Sequence, residues 1–260
     1  MVNKFGKTSK LMIKARFNNE KTVLEDVSFT APFKIMKPFY ENQDLMTIMC
    51  LTASAGIMEG DEQEFEIFVD ERAKLEFVSQ SYEKIHKMNN GSANRTAELY
   101  VGKEAYLYYN PLPTLPFKDS AFTSKLKVHL EDNTSQFILK EVLSAGRCAR
   151  GELFQYRYYH NHIQIEESDK IIYVDNTKFH PTCMSLNSLG MYEQYTHFGT
   201  LLLCHIPKDT KWFHAVRTLL DATDNLEGGV TQVNTAMIVI RVLGYQADKI
   251  EDILNKLLII

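Results

Sequence analysis

The stretch Glu64-Phe65-Glu66-Ile67-Phe68-Val69-Asp70 decides the fold class of this chain. Its apolar side chains recur at every second position, and most of the residues between them are charged. Successive side chains of an extended strand point to opposite faces, so this alternation predicts a strand with one buried face. The stretch from Lys125 to Leu130 repeats the pattern, with Leu126, Val128 and Leu130 on one face.

Further segments of this kind run from Leu11 to about Ile206. Gly, Asn, Asp and Pro separate them at a spacing of roughly ten residues, which is typical of many short strands. Residues 110–117 contain three of the seven prolines. Proline has no backbone N–H, so this stretch predicts an extended, irregular crossing with few hydrogen-bond donors.

Two segments near the C-terminus have helical spacing instead. After the cap candidate Asp209-Thr210, apolar residues follow at intervals close to three and four; they are Trp212, Phe213, Val216, Leu219 and Leu220. A second apolar stripe runs from about Ala247 to Leu258, and residues 236–243 between them predict a buried strand. We therefore predict a mainly β fold, a single domain over residues 1–260, with a small C-terminal part of two helices.

The composition is that of an ordinary globular protein. The chain has 260 residues, of which 45% are hydrophobic, and 33 acidic against 29 basic side chains give a net charge of -4. A core of useful size can form. Without a cationic field to hold phosphates, nucleic acid is not expected as a partner.

We expect a cytoplasmic protein. Five basic residues interrupt the apolar positions of the first 17 residues, unlike a signal peptide. The longest apolar run is far below the roughly 20 residues that span a bilayer, so no membrane segment is expected. The four cysteines are scattered without a C-x-x-C pair. That spacing favours neither a disulfide framework nor a zinc ribbon.

No sequence motif for catalysis stands out. Ser79, Ser81 and Ser144 lie in no G-x-S-x-G context, and the glycines at Leu226–Val230 lack the Lys-Ser/Thr of a phosphate-binding loop. One alternative is a metal enzyme of the cupin type. His160 and His162 share a strand face and could bind a metal ion together with Glu166. The glycines that flank this motif in cupins are absent.

Polar groups in predicted strands that otherwise look buried are the more informative set. Burying an unpaired charge costs several kcal/mol, so these groups must pair with one another or line a wet passage. The set comprises Asp61, Ser79, Gln80, Ser81, Lys84, Glu141, Arg147, Arg150 and Glu152. The sequence alone leaves open whether they form an ion-pair network or a passage.

Five stretches, in order along the chain, resemble the signature stretches of the UreD/UreH family of urease accessory proteins. They are Ala55–Asp61, Ser79–His86, Pro111–Phe117, Gly146–Phe154 and Tyr195–Leu203. The resemblance covers about Leu11 to His205. It implies a right-handed, helix-like stack of β-strands with a small helical appendage, and a non-catalytic scaffold for metallocentre assembly.

The resemblance also implies partners and a route for nickel. The family acts with an all-helical UreF-type protein, a UreG-type GTPase and the urease apoprotein, and nickel moves through an internal polar passage. We assign this passage first to Asp61 and Glu152. To these we add Ser79, Gln80, Ser81 and Glu141, with Lys84, Arg147 and Arg150 as supporting ion pairs. Oxygen ligands suit weak holding, so we expect nickel in transit, no tight metal site and no resident cofactor.

Glu59 departs from the family pattern, which usually has Gly-Gly-Asp where this chain has Glu59-Gly60-Asp61. A carboxylate next to Asp61 would strengthen a mouth that attracts cations. We therefore expect Glu59 to contribute to such a mouth.

Overall fold

The computed structural model describes residues 8–40 and 44–260, whose strands form two sheets. The first sheet has seven strands in the spatial order β15 (Lys170–Phe179), β14 (Tyr158–Glu167), β12 (Ala121–Leu130), β9 (Ala93–Val101), β6 (Glu62–Val69), β1 (Ser9–Asn18) and β2 (Lys21–Phe29). The second follows the order β17 (Leu226–Gln232), β18 (Met237–Gly244), β16 (His197–Cys204), β13 (Gln136–Ser144), β10 (Tyr106–Asn110), β7 (Lys74–Ser79), β5 (Met46–Thr52) and β3 (Phe33–Ile35). Three short strands attach to its side: β4 (Phe39–Tyr40), β8 (Glu83–Ile85) and β11 (Thr114–Pro116).

From β5 to β14 the long strands alternate between the two sheets along the chain. Strands β6, β9, β12 and β14 pair in parallel in the first sheet, and β5, β7, β10 and β13 pair in parallel in the second. Parallel neighbours need a crossover connection, and here each crossover contains a strand of the opposite sheet. The mainly β prediction is confirmed. The right-handed, helix-like form of the stack stays a prediction.

The main hydrophobic core lies between the sheets. On β6 the inward residues Phe65, Ile67 and Val69 are buried, whereas Glu64 and Glu66 are exposed, as the alternation predicted. Inward residues of both sheets extend this core over the full set of long parallel strands. Burial of their apolar surface stabilises the pairing of the sheets.

The two predicted helices and the strand between them are confirmed. Helix α1 spans Thr210–Asp221, and the Asp209 carboxylate accepts a hydrogen bond from the Trp212 N–H at 2.8 Å. Helix α2 spans Ala247–Ile259. Both pack on the outer face of the second sheet through a second apolar cluster. Neither they nor any other helix in the described ranges is long and apolar enough to cross a membrane.

The proline-rich stretch is more regular than predicted. Its residues Thr114–Pro116 form β11, which pairs in parallel with β8 and touches β13 at one position. Thr114 and Leu115 keep their backbone N–H groups, so a short ladder can form between the prolines. This strand brings Thr114 to the interior described next.

Candidate functional site

A row of polar side chains crosses the inner face of the first sheet. Neighbouring strands place its members in register: Gln63 on β6, Arg95 on β9, Ser124 on β12, Asn161 on β14 and Thr177 on β15. On β9, β12 and β14 the inward positions on either side of this row carry apolar residues of the core. The row is therefore a polar layer at one level of an otherwise apolar interior.

The second sheet contributes a matching row. Glu141 on β13 lies in register with Thr200 on β16, and Thr200 lies in register with Arg241 on β18. Together we call the residues of the two rows the polar layer. Glu141 was predicted from the sequence as a passage residue, and it lies near the middle of this layer.

Arg95 binds two other polar side chains at one end of the layer. Its side chain donates from Nε to Gln63 Oε1 at 2.9 Å and from Nη1 to Glu83 Oε2 at 2.7 Å, and a second Glu83 oxygen accepts from Nη2. The guanidinium also lies 4.8 Å from the centre of the Phe65 ring. Since Glu83 belongs to β8 of the second sheet, this buried ion pair joins the two sheets.

Glu141 has a different environment. Its Oε2 accepts a hydrogen bond from Asn161 Nδ2 at 2.9 Å, and Arg95 is committed to Glu83 instead. Burial raises the pKa of Glu141 to about 7, because the charged form loses its hydration. Asn161 is only 9% exposed, and its Oδ1 has no hydrogen-bond partner among the described residues. A carboxyl group and an amide oxygen are thus both left with unused acceptor capacity inside the protein.

Two small cavities flank these groups. One, of about 30 Å³, is lined by Glu83, Arg95 and Ser124 among others, and the second, also about 30 Å³, by Asn161, Thr177 and Thr200 among others. Four residues line both: Thr114, Glu141, Val142 and Tyr159. Each cavity has room for one or two water molecules. The polar layer therefore contains two wettable spaces with Glu141 between them.

The layer reaches the surface at Asp175. This residue lines the second cavity and also an open groove of about 490 Å³ between β15, β17 and β18. Its carboxylate forms an ion pair with Arg241, and its Oδ1 accepts from Thr177 Oγ1 at 2.7 Å. A polar path thus leads from Glu141 through Asp175 to the groove.

Two other residues that were predicted to line the passage accept hydrogen bonds from backbone N–H groups instead. Asp61 Oδ2 accepts from the Met58 N–H at 2.8 Å, and Ser79 Oγ accepts from the Leu112 N–H at 2.9 Å. Leu112 lines the first cavity, so Ser79 is one hydrogen bond away from it. Asp61 and Ser79 line neither cavity themselves.

The prediction that the whole polar set lies in buried strands is wrong. Six members lie outside the strands: Asp61, Gln80, Ser81, Arg147, Arg150 and Glu152. Gln80, Ser81, Lys84 and Arg150 are exposed. The physical reason is local: β7 ends at Ser79, Ser81 adopts a left-handed φ of 63°, and Cys148–Arg150 form a short 3-10 helix.

Arg147 and Glu152 form an ion pair within this loop. Arg147 Nε donates to Glu152 Oε2 at 2.7 Å, and a second bond joins Nη2 to Oε1. The guanidinium holds the pKa of Glu152 below its usual value. Arg147 therefore orients the Glu152 carboxylate, while Arg150 and Lys84 point to solvent.

The histidines of the cupin alternative do not converge. His160 and His162 lie half-exposed on the outer face of β14, where His160 Nε2 contacts Asn176 Oδ1 at 2.7 Å. Glu166 pairs with Lys127 at 3.1 Å and with His129 at 3.3 Å. In the part of the chain that the structure describes, no group of three His, Cys, Asp or Glu side chains is placed to hold a metal ion.

The Glu59 carboxylate anchors a loop. Its carboxylate accepts hydrogen bonds from the backbone N–H groups of Asn89 at 2.9 Å, Asn90 at 3.2 Å and Gly91 at 2.6 Å. These bonds lower its pKa. The side chain is buried, with 7% exposed. These hydrogen bonds give the carboxylate a role in the loop, and a contribution of its charge to a cation-attracting mouth stays a prediction.

Sequence reasoning missed most of the polar layer, although a signal for it exists. Gln63, Arg95 and Asn161 each occupy the inward position of a period-two strand whose other inward residues are apolar. A polar residue at such a position must find an interior partner. What no single strand reveals is the register, which places these residues side by side.

The chain matches the family model described as UreD urease accessory protein over residues 7–260. This chain belongs to that family. Among its relatives, the urease accessory protein UreD of Acetivibrio thermocellus is 39% identical over 257 residues, which cover 98% of this chain and 97% of the relative. The urease accessory protein UreH of Helicobacter pylori strain P12 is 35% identical over 243 residues, covering 93% and 90%.

A more distant relative has the same extent. The urease accessory protein UreD of Actinobacillus pleuropneumoniae is 28% identical over 258 residues, which cover 96% of this chain and 95% of the relative. The family match spans both sheets of this UreD-family chain and both C-terminal helices. The resemblance found in five stretches therefore extends to the described structure as a whole.

Proposed function

We propose that this chain is a non-catalytic scaffold of urease maturation in the cytoplasm. It binds the urease apoprotein together with a UreF-type helical protein and a UreG-type GTPase, and it conveys nickel for metallocentre assembly. Membership of the UreD family supports the process. The nickel and nucleotide chemistry is assigned to the GTPase partner, since the sequence around Leu226–Val230 is no phosphate-binding loop.

Glu141 is the observation that carries the nickel part of the proposal. It offers a carboxyl group between two interior cavities, without a salt bridge to a described residue. A buried carboxyl in this state costs free energy unless a cation or proton accompanies it. A divalent cation that passes through the layer would supply the missing charge.

The neighbouring donors favour transit. Asn161 Oδ1 and the Asp175 carboxylate are oxygen ligands, spread along the path from the first cavity to the groove. Nickel prefers imidazole and thiolate ligands to such oxygens, so it would be held weakly and released. The proposal is therefore a passage with nickel as cargo, not a storage site.

The other predicted passage residues stay in the proposal as an approach to this path. Ser79 accepts a hydrogen bond from the Leu112 N–H at the first cavity. Asp61 accepts one from the Met58 N–H, and Glu152 accepts one from the Lys118 N–H. Gln80 and Ser81 are exposed and accessible to an incoming ion. Asp61→Ala and Glu152→Ala, with the complex still assembled, are expected to lower nickel loading.

Replacement of Glu141 tests the core of the proposal. Glu141→Gln keeps the shape and one acceptor oxygen but removes the charge, so the nickel content and activity of urease matured with this variant are expected to fall by about tenfold. The matched control is Glu66→Gln, which alters an exposed carboxylate on the outer face of β6. Full nickel loading with Glu141→Gln, in a complex that assembles normally, would contradict the proposed passage.

A further inference from the structure

The end strands of the two sheets, β2 and β15 in the first and β3 and β17 in the second, differ in how well they are protected from pairing with another chain. Strand β2 carries charged residues along its length and pairs with a β-bulge, and β15 does the same. Strand β3 has three residues only. Natural proteins use charges, bulges and short strands to stop an edge from pairing with another chain.

Strand β17 lacks these protective features. It pairs with β18 through seven consecutive residue pairs, Leu226↔Gly244 to Gln232↔Ile238, without a bulge. Its sequence, Leu226-Glu227-Gly228-Gly229-Val230-Thr231-Gln232, contains no proline and one charged residue. Helix α1 packs against this strand. Among the described residues, however, β17 pairs with no strand other than β18, so its outer backbone edge is open to another strand.

Gly229 in this strand is not explained by the fold. Its φ lies outside the left-handed region that favours glycine, and a Cβ at this position would meet no atom within 4 Å. Glycine in a strand weakens it relative to residues with a side chain, and often marks a place where another backbone approaches closely. The neighbouring Gly228 differs, because its Cβ would collide with the carbonyl of Arg241.

The space beside Gly229 is the groove of about 490 Å³ where the polar layer reaches the surface. Val174 of β15 and Val233, just after β17, line it and are 49% and 48% exposed. The charged groups of the groove, Asp175 and Arg241, are paired with each other. The groove thus offers apolar and uncharged contacts, and its two charged groups need no charged group of a partner.

Two contacts fix the spacing of the groove walls. Arg241 of β18 pairs with Asp175 of β15, and Asn234 Nδ2 donates to the Ile172 carbonyl at 3.0 Å. Asn234 Oδ1 in turn accepts from the Met237 N–H at 2.9 Å. The wall opposite β17 is therefore held in place before anything binds, which lowers the cost of ordering on binding.

We propose that β17 accepts an extended segment of a partner protein as an additional strand. The segment pairs with the backbone at Gly228–Gln232, and its alternate side chains are uncharged and rest on Val174 and Val233 in the groove. The neutral groove and the unguarded edge together select this kind of partner, since strand addition combines backbone hydrogen bonds with pockets for alternate side chains. The inference rests on the proposed function for the choice of complex, and it places the partner at the surface end of the polar layer.

Hydrogen exchange tests this directly. The probe is the full chain, measured free and in the complex assembled with the urease apoprotein and the UreF-type and UreG-type proteins. Amide exchange in residues 226–232 is expected to slow by at least about tenfold in the complex, because edge N–H groups gain partners. Unchanged exchange there, in a complex that activates urease, would overturn the inference and leave the proposed function intact.

A charge placed on the edge is the matching variant. The Cβ of Gly229→Lys would meet no atom within 4 Å. The variant is expected to weaken assembly by about tenfold or more, because an edge lysine blocks strand addition. The control is Ser28→Lys on the edge strand β2, which is exposed and expected to leave assembly unchanged. Equal assembly of both variants would count against the inference.

Two further outcomes have definite meanings. Protection of residues 226–232 in the chain alone, growing with its concentration, would assign the edge to a second copy and overturn the proposed partner. Protection in the assembled complex without nickel loading of urease would support the added strand and contradict the proposed function.

Discussion

At the scale of single residues, Glu141 and Glu59 show how differently two carboxylates inside the fold can be used. Glu59 is surrounded by three backbone donors, while Glu141 has one amide donor and two small cavities. Hydrogen bonds to the charged form lower a carboxyl pKa, and burial without them raises it. The two residues are therefore expected to respond to pH in opposite ways.

Glu141→Gln is expected to change the pH dependence of stability. The folded pKa of about 7 lies above the ordinary 4.5, so the native protein loses stability as pH rises between these values, and the loss is complete above them. The variant lacks this loss. It should match the wild type near about pH 4 and exceed it by up to about 3 kcal/mol at about pH 8. Urea denaturation at the two pH values measures this; a constant difference would show that Glu141 is not desolvated.

Glu59→Ala is expected to lower the thermal midpoint at neutral pH and to speed amide exchange at residues 89–91, since three N–H groups lose their acceptor. The folded pKa of Glu59 is lowered, so its contribution is present above the unfolded value and disappears as pH falls through the folded value. The difference from wild type should therefore vanish in strong acid. A neutral-pH midpoint equal to that of the wild type would show that this loop needs no anchor.

Part of the polar layer can be predicted from the sequence, residue by residue. Glu141 could be predicted from the sequence because a charge in an apolar stretch needs a partner, and it does lie in the interior. Arg95 and Asn161 meet the same criterion at inward strand positions and could have been found. Gln80 and Ser81 were wrongly placed in a strand because β7 already ends at Ser79. The ends of strands are poorly predicted from periodicity.

At the scale of elements, the C-terminal helices can be predicted from local sequence, whereas the position at which they pack on the sheet cannot. The apolar stripe of α2 is visible in the sequence, and its buried residues are those of the stripe: Ala247, Ile250, Ile253, Leu254 and Leu257. Helix α2 packs on β13, β16 and β18, and β16, about fifty residues earlier in the chain, meets the helix at Gly199. A glycine there allows the helix to approach the sheet closely.

Gly199→Ala tests this contact. The added Cβ would overlap Ile250 Cγ2 and lie 3.2 Å from Leu254 Cδ1, both of which are buried and cannot move aside. We expect a loss of about 1–3 kcal/mol in the free energy of unfolding, as for other overpacked sites. Gly229→Ala is the matched control, since its Cβ meets open space. Equal stability of the two variants in urea denaturation would contradict close packing of α2 on β16.

At the scale of the whole molecule, alternation of strands between the sheets is what creates the polar layer. Each crossing moves the chain to the opposite sheet, so residues distant in sequence, such as Gln63, Arg95 and Asn161, arrive at the same level. Periodicity predicted the strands, but pairing of distant strands depends on contacts that no local pattern contains. For this reason the polar layer had to be identified from the structure.

The Arg95–Glu83 pair tests how the sheets are joined. Arg95→Ala leaves Glu83 and Gln63 without their donor, and it is expected to cost about 3–5 kcal/mol. Arg95→Leu combined with Glu83→Leu removes both charges and should be closer to the wild type than Arg95→Ala is. The free energy of unfolding of each variant gives the comparison; a double variant that is less stable than Arg95→Ala would contradict a simple buried pair.

Transfer of nickel within the assembled complex tests the central claim most directly. Nickel loaded on the UreG-type GTPase is chased into the urease apoprotein in the presence of a chelator that captures free nickel, with the wild-type chain, Glu141→Gln or the control Glu66→Gln as scaffold. Passage through the polar layer predicts that transfer withstands the chelator with wild type and control, and falls by about tenfold with Glu141→Gln. Transfer that the chelator abolishes with the wild-type chain would show that nickel travels through solution, and would contradict the passage.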